Sequence, residues 1–180
     1  MDPMVSFGRV SELSEADRAE ILALSQAVFP AAEAAAWPGR QLEWSSPEWC
    51  VRMRGPGGDL LSYVGVLIRH ARYEGQPVRI GGVGGVKTHP AARRQGLAGL
   101  GMRRAVEHFH ELADVEFGLL VCESRLLEYY RRLGWQEFGG RLVVRQHGAE
   151  ADFTFNRVMV CGVRSHGPTE GTLDLMGPPW

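Results

Sequence analysis

The sequence predicts an α/β domain with a central sheet flanked by helices, and three stretches carry that expectation. Residues 49–54, 60–72 and 78–88 are apolar or loosely alternating runs between Gly- and Pro-rich breaks, the pattern of a three-stranded meander. Residues 78–105, VRIGGVGGVKTHPAARRQGLAGLGMRRA, pass from a Gly-interrupted strand through a glycine-bearing turn into a long amphipathic segment. Residues 117–122, FGLLVC, read as a buried strand, and residues 126–135 as a helix closed by glycine.

In chain order, residues 5–10 form a candidate first strand. Ser14-Glu-Ala-Asp17 has the form of a capping box, with Asp in place of the usual Glu or Gln. Ile21, Leu22, Leu24, Ala27 and Val28 recur at helical spacing, and Pro30 stops that helix. Residues 31–47, with an alanine cluster, Trp37 and Trp44, predict a loop with a helical turn or two. That loop is either a solvent-facing connector with two aromatic anchors or a wall of a substrate site. Turns are expected at Gly55-Pro-Gly-Gly58 and Glu74-Gly-Gln-Pro77. Gly81, Gly82, Gly84 and Gly85 cost strand stability and mark either a bulge or a flexible hairpin. The helix after the turn places Leu97, Leu100, Ala105, Val106 and Phe109 inward, while Gly99 and Gly101 weaken its first turns. Short strands at 141–145 and 153–160 precede a Gly/Pro-punctuated tail ending at Trp180. No repeat, low-complexity segment or linker interrupts the chain, so a single domain over residues 1–180 is expected.

Twenty Lys and Arg nearly balance twenty-one Asp and Glu, so no global field favours nucleic acid or an anionic membrane. Local basic charge gathers at Arg93, Arg94, Arg103 and Arg104, enough for one small anionic ligand. Three scattered cysteines lack metal-ligand spacing and suit a reducing compartment. No metal is expected. No apolar run reaches membrane-spanning length, and the N-terminus lacks the pattern of a signal peptide. A cytoplasmic protein is expected.

The turn Arg93-Arg94-Gln95-Gly96-Leu97-Ala98 sets a row of backbone N–H groups at a helix start beside two arginines. Such an end binds phosphate, because its first N–H groups lack intrahelical partners and the macrodipole is positive there. The turn has neither a P-loop lysine nor the three-glycine spacing of a dinucleotide fold. Arg93-x-x-Gly96-x-Ala98 resembles the [R/Q]-x-x-G-x-[G/A] pattern of the GCN5-related N-acetyltransferases (GNAT). Tyr130-x-x-x-Gly134-Trp135 is similar to that family's second signature, a tyrosine, three residues, glycine and an aromatic. The resemblance implies the GNAT fold: a mixed, mostly antiparallel sheet, bulged at its centre, with a V-shaped splay between the strands at 78–88 and 117–122. It implies acetyl-CoA as cosubstrate, its pantetheine arm in the V against backbone groups of Val86, Lys87 and Thr88. Arg93, Arg94, Gln95, Gly96, Leu97 and Ala98 would then hold the pyrophosphate.

Acetyl transfer to an amine requires a fixed thioester, a polarised carbonyl, a deprotonated amine and a stabilised leaving thiolate. A backbone N–H of the bulged strand would serve as oxyanion donor. Tyr130, protonated at neutral pH, is the candidate general acid, against the alternative of a core tyrosine. Tyr129 would point about 100° away round the helix and pack. Glu123 is a candidate base or, equally, an N-terminal helix charge. His89 is expected to act through its backbone.

Residues 73–86, 130–135 and 171–180 further resemble aminoglycoside 2′-N-acetyltransferases, a subfamily ending in a tryptophan whose carboxylate reaches the drug. That implies a small-molecule amine acceptor, antibiotic resistance and a homodimer. Gly84 aligns with a glutamate of that subfamily, Pro178 replaces an acidic residue, and Ala36 stands near the place of another. Loss of carboxylates points to an acceptor with few amines, such as kasugamycin, held by Glu33, Trp37, Glu123, Asp152, Asp174 and the Trp180 carboxylate around Gly84. Two other readings remain open. One is acetylation of a peptide or protein amine, and the other is a non-catalytic acyl-CoA sensor.

Overall fold

The computed structural model describes residues 3–180. Its elements are β1 (Met4–Arg9), α1 (Glu15–Val28), α2 (Ala31–Ala36), β2 (Trp49–Arg54), β3 (Leu60–Tyr73) and β4 (Gln76–Thr88). They are followed by α3 (Leu97–Glu111), β5 (Val115–Cys122), α4 (Leu127–Arg132), β6 (Gln136–Glu137), β7 (Arg141–Gln146), β8 (Ala149–Asp152), β9 (Arg157–Gly162) and β10 (Thr172–Asp174). The expected α/β class holds. One sheet runs β6-β9-β5-β4-β3-β10-β7-β8, with β2 and then β1 branching from β3. Pairing is antiparallel except for β4–β5 and β10–β7. The β4–β5 pair is parallel because α3 crosses between them.

The capping box forms as its residues predict. Ser14 Oγ accepts from the Asp17 N–H at 3.1 Å, and Asp17 Oδ2 accepts from the Ser14 N–H at 3.2 Å. Asp17 also pairs with Arg52 and Arg54 on β2, which seats α1 on the sheet. The β3–β4 turn is tighter than expected. Tyr73 pairs with Gln76, leaving Glu74 (φ 49°) and Gly75 (φ 76°) as a two-residue loop. Two positive φ values match the twist of the flanking strands. The strand expected over 153–160 is also corrected. A hairpin (β7–β8) ends at Asp152, Phe153 lies in a loop, and β9 starts at Arg157.

Apolar side chains from the two faces of the sheet build two layers. On one face α3 and α4 bury Met102, Ala105, Phe109 and Tyr130 against Val64, Val66, Val83, Leu120 and Met159. On the other, α1 covers Cys50, Leu60 and Tyr63. Beside it the strands β7–β10 cover Leu67, Ile80 and Leu119 with Leu142, Leu173, Leu175 and Trp180. Among the described residues no helix is long and apolar enough to cross a membrane.

All three cysteines are unpaired and buried. Burial pushes the thiols up, to about 12 at Cys161 and about 11 at Cys122, with Cys50 also raised. The thiolate is the reactive form. The native protein is therefore expected to show no reaction with Ellman's reagent at neutral pH, and three thiols after denaturation. A native thiol that titrates at once would contradict the burial.

Candidate active site

Strand β4 carries one residue too many for its neighbour. Lys87 pairs with Tyr63 and Gly84 with Gly65, so three steps along β4 oppose two along β3. The extra residue is taken up at Gly85, whose φ of 60° is a conformation glycine adopts without strain. The bulge expected from the glycine cluster is therefore present. On its other side β4 pairs with β5 only from Arg79 to Gly82, opposite Leu119. Beyond that point residues 83–88 and 120–122 have no mutual pairing and the strands splay. This is the V, with its fork at Gly82 and Leu119.

The open end of the V faces the start of α3. Arg94 (φ 65°) and Gly96 (φ 78°) are both left-handed, and no side chain caps the helix. The first helical N–H groups, from Leu97 on, are thus free to meet an anion. Arg93 and Arg94 are exposed beside them. Arg104 does not join this cluster. It pairs with Glu107 and Glu111 at the other end of the helix and stacks on Phe7. His89 acts through its backbone, as expected, its N–H donating to Leu61 O, but its ring also contributes, Nδ1 accepting from the Ala91 N–H.

Tyr130 stands on the β5 side of the V, in the same cluster as Leu120 and Cys122. Burial pushes its phenol well above the usual tyrosine range, with Cys122 and Tyr129 adding smaller contributions. Gly134 (φ 88°) closes the helix, and the Trp135 N–H returns to Tyr130 O at 3.1 Å. Tyr129 packs edge-on to Tyr130, its hydroxyl buried without a hydrogen-bond partner.

Val86 packs on the α3 face of β4. Thr88 Oγ1 bonds Ser62 Oγ at 2.8 Å, and Ser62 also donates to Lys87 O. The Lys87 ammonium turns away from the phosphate turn. It donates to Ser25 Oγ of α1 at 2.7 Å and lies over the Tyr63 ring, and burial lowers its pKa.

The expected acceptor residues divide. Trp180 sits at the fork: its Nε1 donates to Leu119 O at 3.2 Å, and its indole lies across Gly82 and Gly84. A Cβ at Gly82 would stand 2.5–2.8 Å from the indole, which explains why β4 is glycine there. Trp37 belongs to an aromatic wall. It stacks on Trp44 (centroids 5.6 Å apart), and Phe155 meets both rings edge-on. Glu33 is exposed on α2.

Three of the expected acceptor carboxylates are each held by an arginine. Glu123 stands where β5 ends but is held by Arg125 at 2.6 Å, which lowers its pKa. Asp152 is held by Arg141 and Asp174 by Arg145. Asp174 pairs with Arg72 and with Val143, which is also the partner of Asp152. Arg72 lies seven residues along β3 from Gly65, the partner of Gly84. At ~3.3 Å per residue that is about 23 Å from the bulge. Asp152 and Asp174 therefore do not join the V. Among the described residues no metal-ligand cluster exists.

Arg69 and Ser45 carry no motif in the sequence, yet they fix the tail. Arg69 Nη1 donates to Pro178 O and Nη2 to Ser45 Oγ, and its guanidinium lies 5.0 Å from the centre of the Trp180 ring. The Ser45 N–H donates to Pro179 O at 2.6 Å. Arg69 shares β3 with Ser62, His70 and Arg72, so no local pattern marks this latch in the sequence.

Residues 9–138 match the acetyltransferase (GNAT) domain family. Solved structures agree on the fold at low identity. The E. coli GNAT N-acetyltransferase YhbS, in complex with CoA, superimposes with a TM-score of 0.63 at 15% identity, over 98% of this chain and 91% of that one. An acyl-CoA N-acyltransferase from Pseudomonas aeruginosa gives 0.61 at 20% identity, over 89% and 100%. A GNAT acetyltransferase from Brucella melitensis, in complex with acetyl-CoA, gives 0.58 at 16% identity, over 94% of each chain. No curated protein sequence matches this one. With the family signature spanning most of the chain and the bulged, splayed strands in place, the protein belongs to the GNAT acetyltransferases.

Proposed function

We propose that the chain transfers an acetyl group from acetyl-CoA to an amine of a small, ring-bearing acceptor. The proposed acceptor is an aminoglycoside type with few amines, such as kasugamycin. One observation carries the proposal: the V between β4 and β5 opens onto the uncapped, arginine-flanked start of α3 and is closed by Trp180 at its fork. The residues present fit acetyl-CoA. Backbone groups of residues 86–88 edge the V for the pantetheine amides, and residues 93–98 offer N–H groups and two guanidiniums to the pyrophosphate. When bound, acetyl-CoA supplies the acetyl group as an activated thioester.

The chain's own groups do the rest. A backbone N–H released by the bulge polarises the thioester carbonyl as an oxyanion donor. Tyr130, a phenol and so protonated at neutral pH, donates its proton to the departing sulfur, and burial raises its pKa further. Glu123, held by Arg125, is a weak base, so solvent takes the amine proton. The aromatic wall of Trp37, Trp44 and Phe155 supports a flat or ring-bearing acceptor. With Asp152 and Asp174 remote and paired, an acceptor with many amines finds few carboxylates to hold it.

The test is thiol release from acetyl-CoA with kasugamycin, a multi-amine aminoglycoside and a peptide pool. Turnover on kasugamycin above the multi-amine drug is expected. Turnover on peptides alone would replace the acceptor reading, and CoA binding with no turnover on any amine would favour a sensor.

A further inference from the structure

We infer that Trp180 sets the length of acyl group this enzyme accepts, an inference that rests on the V being the acyl-CoA site. A ligand entering from the α3 end advances between the strand edges until it meets the fork. Pairing of Gly82 with Leu119 stops it there. The group at its tip must then turn out of the sheet toward one face.

The α3 face is filled. Val83, Leu120 and Phe109 are each no more than 1% exposed, and Phe109 presses on Gly81. The other face is covered by the Trp180 indole, itself 6% exposed. Its contacts run along the fork: Nε1 to Leu119 O on β5, ring atoms against Gly82, and both ring and main chain against Gly84 on β4. The two glycines remove the side chains that would otherwise stand there, and the indole takes their space. The cover is also fixed in place. Arg69 stacks on the ring and binds Pro178 O and Ser45 Oγ, while Ser45 binds Pro178 O and Pro179 O. Such a lid does not swing aside to admit a longer chain. An acetyl tip is short enough to stop beneath it, whereas a butyryl tip carries two more methylenes into the indole. One methylene in a shaped apolar pocket is worth about 10–200-fold in discrimination.

The experiment is calorimetric binding of CoA, acetyl-CoA and butyryl-CoA, which needs no acceptor. The wild-type protein is expected to bind butyryl-CoA at least ~10-fold more weakly than acetyl-CoA. Trp180→Ala should bring the two within about 3-fold while CoA itself binds as before. Trp180→Leu, which keeps an apolar cover on Gly82 and Gly84, should fall between them and serves if the alanine variant does not fold. Equal binding of the two thioesters by the wild type, or an unchanged ratio in a variant that still binds CoA, overturns the inference. A wild-type protein that binds none of the three overturns the acyl-CoA reading of the V instead.

Discussion

Tyr130→Phe is expected to lower turnover by about 10²–10⁴-fold, the usual worth of a positioned proton donor, and to leave acetyl-CoA binding within a factor of a few. The removed atom is one hydroxyl. The ring remains, so the packing of Tyr130 against Leu120, Cys122 and Tyr129 is kept and the β5 side of the V holds its shape. Burial raises the pKa of the phenol, and the sign of that shift matters. A raised pKa keeps the acid in its proton-donating form as pH rises. The alkaline limb of wild-type turnover that belongs to Tyr130 should therefore lie above the ordinary tyrosine value of about 10. The pH profile and a binding isotherm on the same variant separate the roles. Unchanged turnover in Tyr130→Phe, with binding intact, would return the residue to the core.

The fold was legible because its strongest signals are local. The Ser14–Asp17 box, the glycines of β4, the Arg93–Ala98 turn and the Gly134 stop each dictate backbone geometry within a few residues. The bulge could be placed at the glycine cluster because the φ of 60° at Gly85 is one that few other residues tolerate. The acceptor side was far less legible. Glu123, Asp152 and Asp174 read as available carboxylates in sequence, yet each lies against an arginine in space. Asp152 and Arg141 are eleven residues apart, and Asp174 and Arg145 twenty-nine. Nothing in the local pattern links such partners. Lys87 is expected to act through its backbone, and the direction of its ammonium, under α1 toward Ser25, follows from alternation beyond the bulge. An extra residue in a strand reverses which face later side chains take, so side-chain direction past a bulge follows only once the bulge is placed.

Phe109→Ala is expected to cost about 3–5 kcal/mol, the largest stability loss of any single truncation argued from this structure. At roughly 2–4 °C per kcal/mol for a chain of this size, the melting temperature should fall by about 10 °C. The ring is fully buried and rests on the backbone of two paired residues, Gly81 on β4 and Gly118 on β5. That pair lies one step before the fork, so Phe109 bears on the fork from the α3 side as Trp180 does from the other. A Cβ at Gly81 would come 2.3–2.5 Å from the ring, too close for any adjustment of a residue this enclosed. Gly81→Ala alone should therefore overpack the core and cost about 1–3 kcal/mol. In the Phe109→Ala background the same methyl would enter the vacated space. The double variant should accordingly be more stable than the sum of the two losses, a coupling readable by urea denaturation. Additive losses would mean that glycine at 81 serves the strand and not the ring. The Michaelis constant for acetyl-CoA adds a functional readout. If the fork is held by the two rings together, it should rise in Phe109→Ala at temperatures where the variant is still fully folded.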